Sequence, residues 1–344
     1  MKTIGLFRDK QDGSLKRVFE SEDKRIVEMT LLFNRENKDV VCVPTHHFCN
    51  LGCKMCHLTN SNVKRPMIKI LGDDFIKCLT DTLTIEGIRI TDKKNLLISF
   101  MGVGEPLLNL ELIEYVKEHE EYLKEVLGYE HIGYAISTMM PNDNVVKLAN
   151  IVSCKSIPLK VHFSMHTPDD EKRFKLIPST SVNVREALDY LSYYESVISS
   201  NDELMSEYTH NHRTDDVVEI HYTLIDGVND SDEELRMLVE LLKQYKITIK
   251  FIRFNPINGM IPSRKEEMWI NTLTTEIPDL RVKVYSPPGR EIGSSCGEFT
   301  KHYYHEEIET EEERFEFMKW KSEHEVKDVN NIKKLTIKNK KINV

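Results

Sequence analysis

The chain has 344 residues, 47 basic against 56 acidic, giving a net charge of −9; 40% of residues are hydrophobic and 30% charged. That is enough apolar material for a full-sized core, no run approaches membrane-spanning length, and the size suits one large α/β domain with appendages. The acidic balance speaks against a generally basic nucleic-acid binder, though not against a local basic surface, and the composition is that of a soluble protein of the cytoplasm.

In chain order, a strand leads through Cys42 into an irregular loop, Pro44-Thr-His-His-Phe-Cys49-Asn-Leu-Gly-Cys53-Lys-Met-Cys56. Apolar, β-branched runs at 95–101, 131–137, 159–164, 217–224, 247–254 and 281–285 predict strands. Between them, 110–127, 184–197 and 231–245 carry helical periodicity, and Ser231-x-x-Glu234 reads as a capping box. Such alternation predicts a parallel sheet with helices, its ligands at the carboxyl ends of the strands. Far along the chain Cys296 stands in Gly293-Ser-Ser-Cys296-Gly-Glu-Phe299.

The loop supplies three thiolates, one too few to close a tetrahedral zinc site or a four-iron cube. A cube held by three cysteines keeps one iron open, and Cys49-x-x-x-Cys53-x-x-Cys56 matches the radical S-adenosylmethionine (SAM) signature. In that superfamily the open iron chelates the amino and carboxylate groups of SAM. A Cys₃His zinc site would recruit His46, His47 or His57, but structural zinc usually draws on two separated ligand pairs, and no second Cys-x-x-Cys is present. Seven cysteines, an odd number, do not suit a disulfide framework. Cys78 and Cys154 lie in apolar stretches and are expected to be buried packing residues.

The strand ends add a second layer. The run at 95–101 opens into Gly102-Val-Gly104-Glu105-Pro-Leu-Leu-Asn109, where glycines admit close backbone approach and Glu105 can accept a hydrogen bond from an ammonium group. Ser137-Thr138, Ser164-Met165-His166 and Phe254-Asn255-Pro256 end later strands. Each alone is an ordinary strand-terminating turn; polar endings on successive strands point to one shared site.

Val27-Glu28-Met29-Thr30, the Cys42-x₆-Cys49 spacing, Gly102–Asn109, Ser164–Asp170, Leu224–Asp230, Phe254-Asn255-Pro256 and Ser295–Glu298 together resemble the RlmN/Cfr group of radical SAM RNA methyltransferases. Those enzymes methylate adenosine at carbon 2 or carbon 8 in ribosomal or transfer RNA. The likeness runs from Glu28 to Phe299. It implies a partial (β/α)6 radical SAM barrel over 41–300, a short N-terminal extension over 1–40 and a charged tail over 301–344. It further implies a [4Fe–4S] cluster on Cys49, Cys53 and Cys56, and SAM held by Gly104, Glu105, Ser137, Ser164, Met165, His166 and Asn255. An RNA substrate and an electron donor such as flavodoxin or ferredoxin are implied as partners.

The implied chemistry uses Glu28, Cys42 and Cys296. An adenine carbon bonded to hydrogen is not nucleophilic, so direct polar methyl transfer is closed to it. In the mechanism that the resemblance implies, one SAM methylates Cys296 and a second yields a 5′-deoxyadenosyl radical that takes hydrogen from the S-methyl group. The carbon radical adds to the ring, Glu28 accepts the ring proton, and Cys42 forms a disulfide with Cys296 to release product. Several features depart from the family pattern. Little chain precedes Cys42 to form the family's accessory domain, Met139-Met140 replaces small residues, and 194–216 reads as a polar insertion. The tail carries an acidic block at 306–316 and a basic run at 333–341. The alternatives are the same chemistry on a free nucleotide, small molecule or peptide, or a metal-bearing RNA-binding protein without turnover.

Overall fold

The computed structural model describes residues 1–32, 37–59, 65–257, 259–289 and 310–327, together with Ile292 and Tyr303. Strands β1 (Lys2–Arg8), β2 (Leu15–Glu20), β3 (Ile26–Leu32) and β4 (Lys38–Cys42) pair antiparallel in that order. From β4 the sheet continues parallel through β7 (Asn95–Phe100), β8 (His131–Thr138), β9 (Leu159–Ser164), β10 (Val218–Tyr222), β11 (Ile249–Ile252) and β12 (Val282–Tyr285). A separate two-stranded ribbon joins β5 (Thr84–Ile85) and β6 (Ile88–Arg89). Sequential order in a parallel sheet brings every strand's carboxyl end to one rim, as a partial β/α barrel requires.

Helices fill the crossovers: α1 (Gly72–Leu83), α2 (Leu110–Glu118), α3 (Glu120–Leu127), α4 (Asn144–Lys155), α5 (Asp170–Leu176), α6 (Val184–Ser199), α7 (Asp202–His212), α8 (Asp232–Tyr245) and α9 (Glu266–Glu276). Most bury one apolar stripe. In α1 this is Phe75, Ile76, Leu79 and Leu83, packed with Val27, Met29 and Leu31 of β3. The capping box is present: Ser231 Oγ accepts from the Glu234 N–H at 3.2 Å, and the Glu234 carboxylate accepts from the Ser231 N–H at 3.3 Å. Among the described residues no helix is long and apolar enough to cross a membrane.

Three expectations need revising. The helical run at 110–127 divides at His119, whose ring bonds the Tyr115 carbonyl at 2.8 Å. The stretch 194–216 is not polar throughout: Tyr194 and Tyr208 are fully buried, α7 packs against β8, and His212 Nε2 donates to the Pro158 carbonyl at 2.9 Å. Cys154 is exposed, because α4 buries Val145, Leu148, Ala149 and Val152, and a residue two places past Val152 points off that stripe. Cys78 is buried as expected.

A last helix, α10 (Glu311–His324), carries part of the acidic block and lies against β1, where the Phe7 and Trp320 rings pack at a tilt of 39° with centroids 5.2 Å apart. The chain then pairs with β1, Val326 N–H donating to the Leu6 carbonyl at 2.8 Å. The basic run at 333–341 lies outside the described residues.

The barrel interior is ionic. Lys160 and His162 of β9, Glu219 and His221 of β10, Lys250 of β11 and Lys283 of β12 occupy alternate positions that share one face. Glu219 accepts from Lys160 at 2.6 Å, from Lys283 at 2.5 Å and from Lys250. Burial opposes its charge, yet His162 and the lysines hold it far below the ordinary carboxylate range. Burial also pushes His162 down to about 4 despite Glu219, His212 down to about 3, and His221 well below its usual value.

These three rings are neutral in the fold and regain a value near 6.5 when the chain unfolds. Unfolding therefore takes up protons below 6.5, and their contribution is fully present above that pH and drains away as pH falls toward 4. Urea denaturation at pH 7.5 and 5.5 is expected to show a loss of about 4 kcal/mol from these three rings, roughly 1.4 for each over the one unit below 6.5. Equal midpoints at the two values would contradict buried neutral imidazoles.

Candidate active site

The loop bearing the three cysteines is fixed by backbone bonds on both flanks. On one side Val43 N–H donates to the Ser99 carbonyl and Thr45 N–H to that of Val103, each at 2.9 Å. On the other, Lys54 N–H donates to Leu176 at 2.9 Å, and the Ser179 hydroxyl to Leu51 at 2.6 Å. Two glycines after β7 permit this closeness. A Cβ at Gly102 would stand 2.7 Å from the backbone of Val43 and Pro44; one at Gly104, where φ is +109°, would stand 2.5 Å from His46 Nδ1 and 2.6 Å from Thr45 Oγ1.

Cys49, Cys53 and Cys56 line one cavity of about 180 Å³, together with Gly104, Glu105, Ser137, Ser164 and His166. Burial pushes Cys49 up to about 12 and raises Cys53 and Cys56 as well. Among the described residues lining it there is no lysine or arginine, and a bound metal would supply the charge that thiolates here need. Three convergent soft donors on a short loop fit a [4Fe–4S] cluster with one open iron. Of the histidines that a zinc site would need, His46 bonds Thr45 Oγ1 at 2.8 Å and His47 donates to the Ile26 carbonyl at 3.2 Å, while His57 faces a neighbouring cavity. His162, Glu219 and His221 form a second close donor set, but three ammonium groups already crowd that carboxylate and repel a further cation.

Glu105 joins two strand ends. One oxygen accepts from Leu107 N–H at 3.1 Å and the other from Met139 N–H at 3.0 Å. Burial raises its pKa to about 7, opposed by Thr138 and these two amides. His166, at a left-handed φ of 60°, accepts from Thr223 N–H through Nδ1 at 3.1 Å. Its proton is then on Nε2, and burial, with Arg173 nearby, pushes the ring down to about 3, so it stays neutral at physiological pH. Asn229 locks this corner, donating to the His166 carbonyl at 2.6 Å and the Thr223 carbonyl at 2.7 Å.

A second cavity of about 350 Å³ shares the wall formed by Met55, Cys56, Met101, Gly102 and His166. It is lined by Cys42, Glu28, Lys16, Thr30 and Asn255, with Arg253, Phe254 and Tyr285 among the residues opposite. Glu28 is 5% exposed, far from the surface position a strand glutamate ordinarily takes.

The structure thus gathers Gly104, Glu105, Ser137, Ser164 and His166 around the three cysteines, and Glu28 with Cys42 next door. Two expected SAM contacts part from that group. Met165 is fully buried in the hydrophobic core, in a turn where its N–H donates to the Phe163 carbonyl at 2.9 Å, and Asn255 faces the second cavity. Cys296 lies outside the described residues. Sequence reasoning passed over Lys16, whose position in an alternating strand gave no sign of burial. Met139, noted in the sequence only as a departure from the family pattern, has its sulfur 3.5 Å from Cys53 Sγ. Arg173, buried and donating to the Met139 carbonyl at 2.6 Å, was equally silent in the sequence.

Gly104→Ala is expected to strain the turn by about 1–3 kcal/mol and to push Thr45 and His46 away. Anaerobic reconstitution should then leave less iron bound per chain than in the unaltered protein. Full iron loading with unchanged thermal stability would mean that the close packing at Gly104 is dispensable.

No family model matches the chain. It is 28% identical over 300 residues to the probable dual-specificity RNA methyltransferase RlmN of Clostridioides difficile (strain 630), across 86% of this chain and 78% of that protein. To the RlmN of Thermotoga neapolitana it is 26% identical over 293 residues, across 84% of this chain and 76% of that one. Among solved structures, a radical SAM methyltransferase from Sphaerobacter thermophilus shares the fold, with a TM-score of 0.60 at 22% identity, covering 86% of this chain and 80% of that one. With the cysteine loop, the glycine turn and the strand ends arranged as described, the chain is similar to the RlmN RNA methyltransferases and shares the fold of a radical SAM methyltransferase.

Proposed function

We propose that the chain methylates an RNA adenosine at carbon 2 or carbon 8, through an S-methylcysteine on Cys296 that Cys42 resolves. The observation that carries this reading is the adjacency of two cavities. Cys42 and Glu28 line one, the three cysteines line the other, and Cys56, Gly102 and His166 belong to both walls. The RNA substrate is supported by the names of the curated relatives, each a dual-specificity RNA methyltransferase.

When bound, a [4Fe–4S] cluster and SAM would supply the radical and the methyl group, and the cluster would take back the unpaired electron that addition to the ring leaves over. The chain's own residues do the rest. Cys49, Cys53 and Cys56 hold the cluster, while Glu105, Ser137, Ser164 and His166 are placed to orient SAM. Glu28 accepts the proton from the ring carbon, the electron pair of that C–H bond returning to the ring. Cys42, as thiolate, attacks the sulfur of Cys296; the S–S bond forms as the bond from sulfur to the transferred carbon breaks, that carbon keeps the electron pair and takes a proton to become the methyl group, and the product leaves. In this reading residues 1–40 belong to the site, because β3 delivers Glu28.

Two measurements test this. Cys42→Ala is expected to accumulate a covalent protein–RNA adduct, and Cys296→Ala to lose both the S-methyl mark and all product. Normal turnover by Cys42→Ala would overturn the two-cysteine chemistry, and an adduct yielding a peptide or free nucleotide on digestion would overturn the RNA substrate. Glu105→Ala should weaken SAM binding about ten- to hundredfold through loss of a charge-assisted hydrogen bond, with the cluster's absorption spectrum retained. Unchanged affinity would reduce Glu105 to a turn residue.

A further inference from the structure

Glu28 does not stand alone in its cavity wall. Lys16 of β2 faces Thr30 across the β2–β3 ladder, and Thr30 faces Cys42 across β3–β4. Paired residues in adjacent strands point to the same face, so Lys16, Thr30 and Cys42 form a row, with Glu28 one step along β3 on that face. All four line the 350 Å³ cavity. Lys16 Nζ lies 3.2 Å from Glu28 Oε2, and the two side chains are 1% and 4% exposed.

Burying an ammonium group is expensive, and a buried pair adds little net stability over an apolar pair of the same size. The neighbouring inward positions show what packing alone asks for: Val18 and Ile26 are apolar and buried in a satellite core. A lysine among them, bonded to the one carboxylate in the row, answers a chemical need instead. A base that must take a proton from a ring carbon has to keep one rotamer and one oxygen direction while the carbon approaches. A flexible glutamate on a strand has no such restraint, and a buried charge-assisted bond supplies it.

We propose that Lys16 is a positioning residue for proton removal: it fixes the Glu28 carboxylate against the cavity so that the ring proton of the bound adduct is taken efficiently. This rests on the reading of Glu28 as proton acceptor. Lys16 donates to one carboxylate oxygen throughout and neither gains nor loses a covalent bond. The proton passes from carbon to Glu28 and thence to solvent.

The test uses full-length, cluster-loaded protein and transcripts of host ribosomal and transfer RNA in which adenosine carries hydrogen or deuterium at carbons 2 and 8. Lys16→Met, with Lys16→Gln as a second variant, is expected to methylate Cys296 and form the covalent adduct at normal rates. Adduct discharge should slow about ten- to hundredfold, with KM little changed. The isotope effect on discharge should rise because proton removal has become rate-limiting, a change that loosened packing alone would not produce. Discharge within twofold of normal with an unaltered isotope effect would overturn the proposal. So would a block before adduct formation, which would place Lys16 in binding, or unfolding of both variants, which would make the pair structural. Absence of any adduct in Cys42→Ala with native Lys16 would remove the reading of the site itself, and this inference with it.

Discussion

Glu219 takes bonds from lysines on three other strands, and the parallel sheet depends on that arrangement. Parallel sheets ordinarily fill their faces with Val, Ile and Leu. Here the inward positions of β9 to β12 carry lysine and histidine, which no apolar filling could satisfy, and one carboxylate with Asp216 beside it gathers them. Removing the anion would strand the buried ammonium group of Lys160 beside the half-buried ones of Lys250 and Lys283, the situation in which a buried ion pair becomes most destabilising to break. The layer above this ionic floor is thereby set at a fixed height. Ser164, His166 and Thr223 follow His162 and His221 along the same strands and face the two cavities.

How much of this was legible depends on the kind of signal. The strands β7 to β12 are short β-branched runs, and their observed bounds fall within a few residues of those expected. The cysteine loop and the Gly102–Asn109 turn were legible because their chemistry needs particular residue types at particular spacings. The N-terminal meander was not. β2 and β3 put Lys16, Glu28 and Thr30 at inward positions, where alternation leads one to expect apolar residues. The polar groups that make the cavity wall useful are the ones that disguise its strands. Met165 lies buried in the core between Ser164 and His166, which line the cavity, so a three-residue motif is divided between packing and site.

The two halves of the site come from different kinds of sheet. The rim of the parallel strands supplies the cysteine loop, Glu105, Ser137, Ser164 and His166, all at strand ends. The antiparallel strands supply Lys16, Glu28 and Thr30 from strand middles, on a flat face. A rim gives side chains that converge on a small enclosed volume, whereas a face gives a broader wall against which a planar group can lie. Cys42 ends β4, the strand shared by both arrangements, and so stands where they meet.

The outer edge of β1 is covered by residues from the far end of the sequence, with Trp320 on Phe7 and Val326 bonded to Leu6. During synthesis, that edge stays uncovered until residue 326 has left the ribosome. Every strand of the barrel can already be paired by then, since β12 ends at Tyr285. For that interval the nascent chain presents an open row of N–H and C=O groups, the kind of surface on which strands of neighbouring chains add. Long-range closures of this sort are slow. The wall that carries Lys16 and Glu28 is thus buttressed last, and a chain stopped short of residue 326 would complete its barrel yet leave its first strand available to other chains.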